Sequence, residues 1–177
     1  MLKIIMIYST TDGQTKRIID FLEKICREKH EVRVFSVQEA HKQNLMEFDK
    51  IVIGARVRYG KHHKDIYKFI EKNKSKIIAK NNYFFSVNLV ARKKAKNNPK
   101  TNPYTIKFLR KTDWNPTKIN VFAGRVDYPK YNFINKLIIR TIMSITSGPT
   151  DTSRCFEFTD WVEVEKFGNI ISRDILY

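Results

Sequence analysis

The chain is poor in residues that staple or break structure: its 177 residues include 2 cysteines, 5 prolines and 6 glycines. Cys26 and Cys155 lie far apart with no Cys-x-x-Cys pair, which argues against a disulfide scaffold or zinc site and fits a reducing cytoplasm. Scarce glycine and proline beside plentiful Leu, Ile, Val and Phe exclude fibrous repeats and wholesale disorder. No run of about 18 apolar residues occurs, so nothing reads as a membrane span. The opening MLKIIMIYST turns polar after about six apolar residues, too few for the apolar stretch of a signal peptide.

Negative charge is also scarce: 18 Asp and Glu stand against 34 Lys and Arg, a formal net charge of +16. The excess is concentrated, because residues 92–146 hold 13 basic and 2 acidic residues whereas 147–177 hold 3 and 6. Such a basic middle narrows the partners to nucleic acid, an anionic membrane face or an acidic substrate. Nucleic acid has charge alone in its favour, since no recognition module is visible.

What is present is an alternation of apolar strands and amphipathic helices in a chain of single-domain size, residues 1–177. Lys3–Tyr8 (KIIMIY), Lys50–Gly54 (KIVIG) and Asn82–Val87 (NYFFSV) are continuous apolar runs, the pattern of strands covered on both faces. Between them, Ile18, Ile19, Leu22 and Ile25 recur at helical spacing from Thr15 to about Glu28, Glu31–Val37 alternates as a strand, and Asp65–Ala79 reads as a helix. This order calls for a parallel sheet with helices on both faces. Further on, the spacing predicts a short helix at Tyr104–Lys111, a strand at Ile119–Gly124, and an irregular insertion at 125–153 containing an apolar helix, Phe133–Ile145. A strand at Cys155–Phe158 follows, then a helix capped by Thr159 or Asp160.

In a doubly wound sheet, ligands bind outside the carboxyl ends of the strands. The first such end reads Ser9-Thr10-Thr11-Asp12-Gly13-Gln14-Thr15. Hydroxyls, a glycine and a helix N-terminus together make a phosphate cradle without lysine, although an ordinary capped turn has the same composition. One glycine and no lysine exclude a P-loop and a dinucleotide turn, which leaves a mononucleotide. The flavodoxin turn that holds FMN is similar, with one residue fewer. Asp12 is the departure, and a carboxylate near phosphate is expected to point away and cap backbone donors.

The second end, Ala55-Arg56-Val57-Arg58-Tyr59-Gly60 followed by Lys61-His62-His63, places two arginines and a tyrosine over the crevice. Tyr59 either stacks on a flavin ring or packs on its neighbours. His62 and His63 are expected to be solvated or to cap a helix rather than to bind metal. The third end is Ser86-Val87-Asn88-Leu89-Val90, with Arg92 and Lys93 just beyond. It lacks an aromatic, so one flavin face is left to Asn88, Leu89 and Val90 or to substrate.

STTDGQT, VIGARVRYGKHH, FFSVNLVARK, AGRVDYPKYNF and GPTDTS…FTDW resemble the flavodoxin-like, menaquinone-dependent protoporphyrinogen IX dehydrogenases of bacterial haem synthesis, from residue 1 to about 172. The resemblance implies an α/β flavodoxin-like doubly wound parallel sheet of five strands, order 2-1-3-4-5, with a long insertion interrupting the fifth strand. It implies FMN as cofactor, held by Ser9, Thr10, Asp12, Gly13, Gln14, Thr15, Ala55, Arg56, Val57, Arg58, Tyr59, Gly60, Ser86, Val87, Asn88, Leu89 and Val90. It further implies oxidation of protoporphyrinogen IX, transfer of electrons to menaquinone or another quinone, and a peripheral position on the cytoplasmic side of the inner membrane, against an anionic surface. Arg56, Arg58, Arg92 and Lys93 are candidates for the propionates of the substrate. A soluble flavodoxin-type electron carrier is the alternative, and its usual acidic surface contrasts with the charge of +16. The 125–153 insertion, with Ile138 and Ile142 on its helix, is either core or the element that meets lipid, porphyrin or another subunit.

Overall fold

The computed structural model describes residues 1–173. The regular elements are β1 Lys3–Ser9, α1 Gln14–Arg27, β2 Glu31–Ser36, α2 Val37–Ala40, β3 Lys50–Arg58, β4 Lys61–His62, α3 Lys64–Ile78, β5 Asn81–Val87, α4 Pro103–Thr112, β6 Lys118–Phe122, β7 Arg125–Asp127, α5 Phe133–Ile145, β8 Cys155–Glu157 and α6 Trp161–Ile171. Most lie within two residues of the ranges expected from periodicity. The largest difference is β3, which runs past Gly54 to Arg58 because the short β4 folds back and pairs with it, Val57 opposite His62.

The parallel strands lie in the order β2-β1-β3-β5-β6, the five-stranded flavodoxin-like order expected, with β4 attached antiparallel to β3. Alternation along each strand sorts the core into two layers. Ile5, Ile7, Ile51, Ile53 and Phe84 face α2, α3 and α4 through Val37, Phe69, Ile70 and Phe108. Ile4, Met6, Val52, Tyr83 and Phe85 face α1 and α6 through Ile18, Leu22, Val164 and Phe167. Every residue of β5 is buried, which is why its sequence shows no polar alternation.

The insertion leaves the sheet at the end of β6. Its two flanks, β7 and β8, pair with each other antiparallel, Val126 opposite Phe156, as a separate ribbon. A satellite core of Val126, Tyr128 and Met143 holds α5 to this ribbon, and the Tyr128 hydroxyl donates to Pro149 O at 2.9 Å. Met143 is the one residue of α5 that is buried, whereas Phe133 is 80 % exposed, Leu137 54 % and Ile145 78 %. Among the described residues, no helix is long and apolar enough to cross a membrane.

Gly54 marks the tightest contact in the sheet. A Cβ there would lie 2.3 Å from Phe85 Cζ, since Gly54 stands opposite Phe85 across β3 and β5 and the ring lies over it. Gly54→Ala is therefore expected to lower stability by about 1–3 kcal/mol through overpacking. Urea denaturation measures it, and a variant as stable as the parent would show that the ring moves aside freely.

Candidate functional site

The carboxyl ends of β1, β3 and β5 come together because the strands pair in register: Ser9 stands beside Ala55, and Ala55 beside Ser86. These three small residues form the last row that β1, β3 and β5 share. Above them opens a crevice with a cavity volume of about 200 Å³. Thr10, Asp12, Gln14 and Thr15 form one wall, and Arg56 through Gly60 with Val87 through Val90 form the floor and second wall. The insertion closes the third side with Gly124, Arg125, Tyr131, Ile139 and Ile142.

Thirteen of the residues expected from the sequence thus lie together on the crevice wall, while six stand elsewhere. Ala55 and Ser86 are fully buried beneath the crevice, and Ser9 faces a separate hollow with Ser36 and His63, where its hydroxyl accepts from Arg56 N at 3.4 Å. Each belongs to the sheet row beneath the site rather than to the crevice wall. Gly13 is the N-cap of α1 at φ 81°, a left-handed conformation that glycine adopts without strain. Arg92 is anchored to the protein: its guanidinium donates to Leu89 O at 2.8 Å, Thr146 O at 2.9 Å and Thr146 Oγ1 at 2.6 Å, which fixes the end of α5. Lys93 is exposed and off the wall.

Asp12 also departs from expectation. It does not cap α1, whose N-cap Gly13 offers no side chain, but lines the crevice. Desolvation raises its carboxyl above the ordinary value, against the pull of Arg58, Arg56 and Arg125. Tyr59, at φ 49°, donates its hydroxyl to Asn135 Oδ1 on α5, and the Arg58 guanidinium lies 5.1 Å from its ring centroid. The β3–β4 turn is thereby tied to the insertion across the mouth of the crevice.

His62 is not solvated. It is buried against Phe108 at 4.5 Å between ring centroids, with Nε2 2.9 Å from Ser86 Oγ, and Ser86 in turn accepts from Asn88 Nδ2 at 3.1 Å. Burial, then the Arg56 charge, lowers its pKa to about 3. His63 turns the other way and accepts from Asp65 N at 3.4 Å as the N-cap of α3. Among the described residues, no cluster of three His, Cys, Asp or Glu side chains is placed to hold a metal.

The polar groups fit an anionic cofactor. The first N–H groups of α1 lack a side-chain cap and open on a crevice that also carries the Thr10 and Thr15 side chains. The Nε atoms of Arg56 and Arg125 are buried without a hydrogen-bond partner among the described residues. Buried donors left in that state are costly and mark a place for an acceptor. Arg125, Tyr104 and Tyr131 were not assigned from the sequence. AGRVDYPKYNF held two of them, but only the folded insertion shows that they turn inward.

Comparison with known proteins decides the family. The Flavodoxin domain model matches residues 5–153. An Escherichia coli (strain K12) protein named protoporphyrinogen IX dehydrogenase [quinone] is 36 % identical over 172 residues, covering 97 % of this chain and 95 % of that one. The chain belongs to the flavodoxin family, in the branch that bears this name. A Leishmania major relative of the same name is 38 % identical over 169 residues, covering 94 % of this chain and 73 % of its own length. The structure of a flavodoxin from the domain Archaea superposes with a TM-score of 0.51 at 17 % identity, covering 97 % and 96 % of the two chains, which supports the fold. The protein is a flavodoxin-like oxidoreductase.

The buried histidine beneath this crevice has a consequence for acid stability. Unfolded, His62 takes a proton near its ordinary pKa of about 6.5, whereas folded it stays neutral down to about 3. The unfolded state therefore binds more protons in that window, and stability is lost as pH falls through it. Between pH 6.5 and 5 the stability in urea is expected to fall by up to about 1.4 kcal/mol per pH unit. His62→Gln is expected to flatten that slope, and equal slopes in both proteins would contradict the burial of the ring.

Proposed function

We propose that this protein oxidises protoporphyrinogen IX to protoporphyrin IX with FMN as cofactor and passes the electrons to a quinone, as a step of haem synthesis. The kinship with relatives of that name, which spans the insertion as well as the sheet, carries the reading. FMN, when bound, supplies the two-electron redox chemistry, and the protein supplies position and electrostatics.

The chain's own residues divide that work. The N–H groups at the start of α1 and the hydroxyls of Thr10 and Thr15 hold the phosphate. Tyr59 on one side and Leu89 and Val90 on the other flank the flavin ring. Arg58 and Arg125 receive the substrate carboxylates, since a guanidinium matches a carboxylate in a paired geometry. Arg92, whose guanidinium is bonded to Leu89 and Thr146, is off the wall, whereas Arg125 lines it with its Nη2 3.3 Å from Asp127 Oδ2 and its Nε without a hydrogen-bond partner among the described residues. Ile139 and Ile142 restrict water on the insertion side. Tyr131, its pKa pushed up to about 12 by burial and by the Asp12 charge, remains a protonated phenol on the wall.

The same reading puts the protein peripherally on the cytoplasmic face of the inner membrane. The exposed apolar residues of α5 supply an interfacial surface, and the basic stretch from Arg92 to Lys118 supplies attraction to anionic lipid of roughly 1 kcal/mol per cation near the surface. Phe133→Asp with Leu137→Asp is expected to release the protein from anionic vesicles in a sedimentation assay while its FMN content stays unchanged. Continued binding of that variant would remove α5 from the membrane contact.

Anaerobic mixing tests the activity. The FMN-loaded protein is expected to lose its flavin absorbance on addition of protoporphyrinogen IX and to recover it on addition of menaquinone, with porphyrin fluorescence appearing in step. A flavin that stays oxidised with the porphyrinogen would refute the proposed substrate.

A further inference from the structure

Gly13, the N-cap of α1, makes no side-chain cap hydrogen bond to the turn that opens the helix. The restraint comes from a distant part of the chain. Gln14, the first residue of α1, is buried, and its amide is fully engaged: Nε2 donates to Glu157 Oε1 at 2.9 Å and to Thr159 Oγ1 at 2.8 Å, while Oε1 accepts from Arg17 at 2.9 Å. Its contribution to a phosphate is therefore limited to its backbone N–H. Thr159 is itself anchored, donating to Ala123 O at 2.8 Å just beyond β6.

Glu157 is the centre of this cluster. Besides Gln14, it accepts from Arg17 on Oε2 at 2.8 Å and from Trp161 Nε1 on Oε1 at 2.9 Å, and the Arg17 guanidinium lies 5.5 Å from the Trp161 ring centroid. Both carboxylate oxygens are used, and 143 residues separate Glu157 from Gln14. Desolvation raises the pKa of this carboxyl, but the hydrogen bonds from Arg17, Gln14 and Trp161 together outweigh it and hold the group below its ordinary range. Its charge is met by Arg17, so it does not oppose an anion on the crevice side.

We infer that Glu157 is a positioning residue for the phosphate turn, fixing the first donors of α1 through Gln14 and so coupling the seating of the insertion to the binding of phosphate-bearing flavin. This rests on the FMN reading above. Glu157 lies on β8, where the insertion returns to the domain, so a ribbon that shifts there also loosens the start of α1. Donors aimed in advance at an anion bind it more tightly than donors that must be ordered on binding.

Riboflavin, which lacks the phosphate, separates this role from a general structural one. Titrations followed by quenching of flavin fluorescence give the dissociation constants of FMN and riboflavin for each protein. Glu157→Ala is expected to weaken FMN roughly tenfold or more, the scale of a lost hydrogen bond to a charged group, and to leave riboflavin unchanged. Glu157→Gln keeps an acceptor for Gln14 and Trp161 and is expected to recover most of the FMN affinity, yet to remain weaker than the parent. If the alanine variant does not fold, the glutamine variant carries the test through the same ratio of FMN to riboflavin affinity. Equal losses for both flavins, or none for either, overturn the inference while leaving the FMN reading intact. A parent protein that binds neither flavin overturns both.

Discussion

The arrangement depends on one constraint: a parallel sheet must be covered on both faces, so its strands are joined by helices and its loops gather at the strand ends. Here β1, β3 and β5 are apolar on both sides, and two separate layers of side chains bury them. That burial leaves no latitude in register, and register is what brings Ser9, Ala55 and Ser86 into one row. The start of α1, the β3–β4 turn and the segment after β5 then have to meet above that row. The crevice is a product of core packing, and its chemistry is set by what those three segments carry.

The insertion adds what the sheet alone does not provide. It brings Arg125 and Tyr131 to the open side, ties Tyr59 to α5 through Asn135, and returns along β8 to place Glu157 against α1. One face of α5 therefore helps to wall the crevice while the rest stays largely uncovered. Exposed apolar area gathered on one helix is the kind of surface that marks an interaction site.

How far the sequence was legible follows from the range of the interactions. Strands such as KIIMIY and NYFFSV were readable because two-sided burial leaves an unbroken apolar run. The STTDGQT turn was readable because its elements are adjacent in sequence. Asp12 was not, since the arginines that surround it include Arg125, which only the folded insertion brings near. His62 and His63 look alike as a pair, and it is the pairing of β4 with β3 that turns one ring inward to Ser86 and leaves the other to cap α3. Arg92 sits in a run of basic residues that resembles a solvated face, yet Thr146, 54 residues on, engages it.

The central claim is that phosphate-bearing flavin binds where β1, β3 and β5 end, with the start of α1 against the phosphate. Backbone amide chemical-shift mapping on addition of FMN measures this residue by residue. The account requires the largest shifts at Thr10 through Thr15, with others at Arg56 through Gly60 and Asn88 through Val90. Shifts centred instead on the hollow beside Ser36, Gln38 and His63, or spread over the basic surface with none at the start of α1, would contradict it.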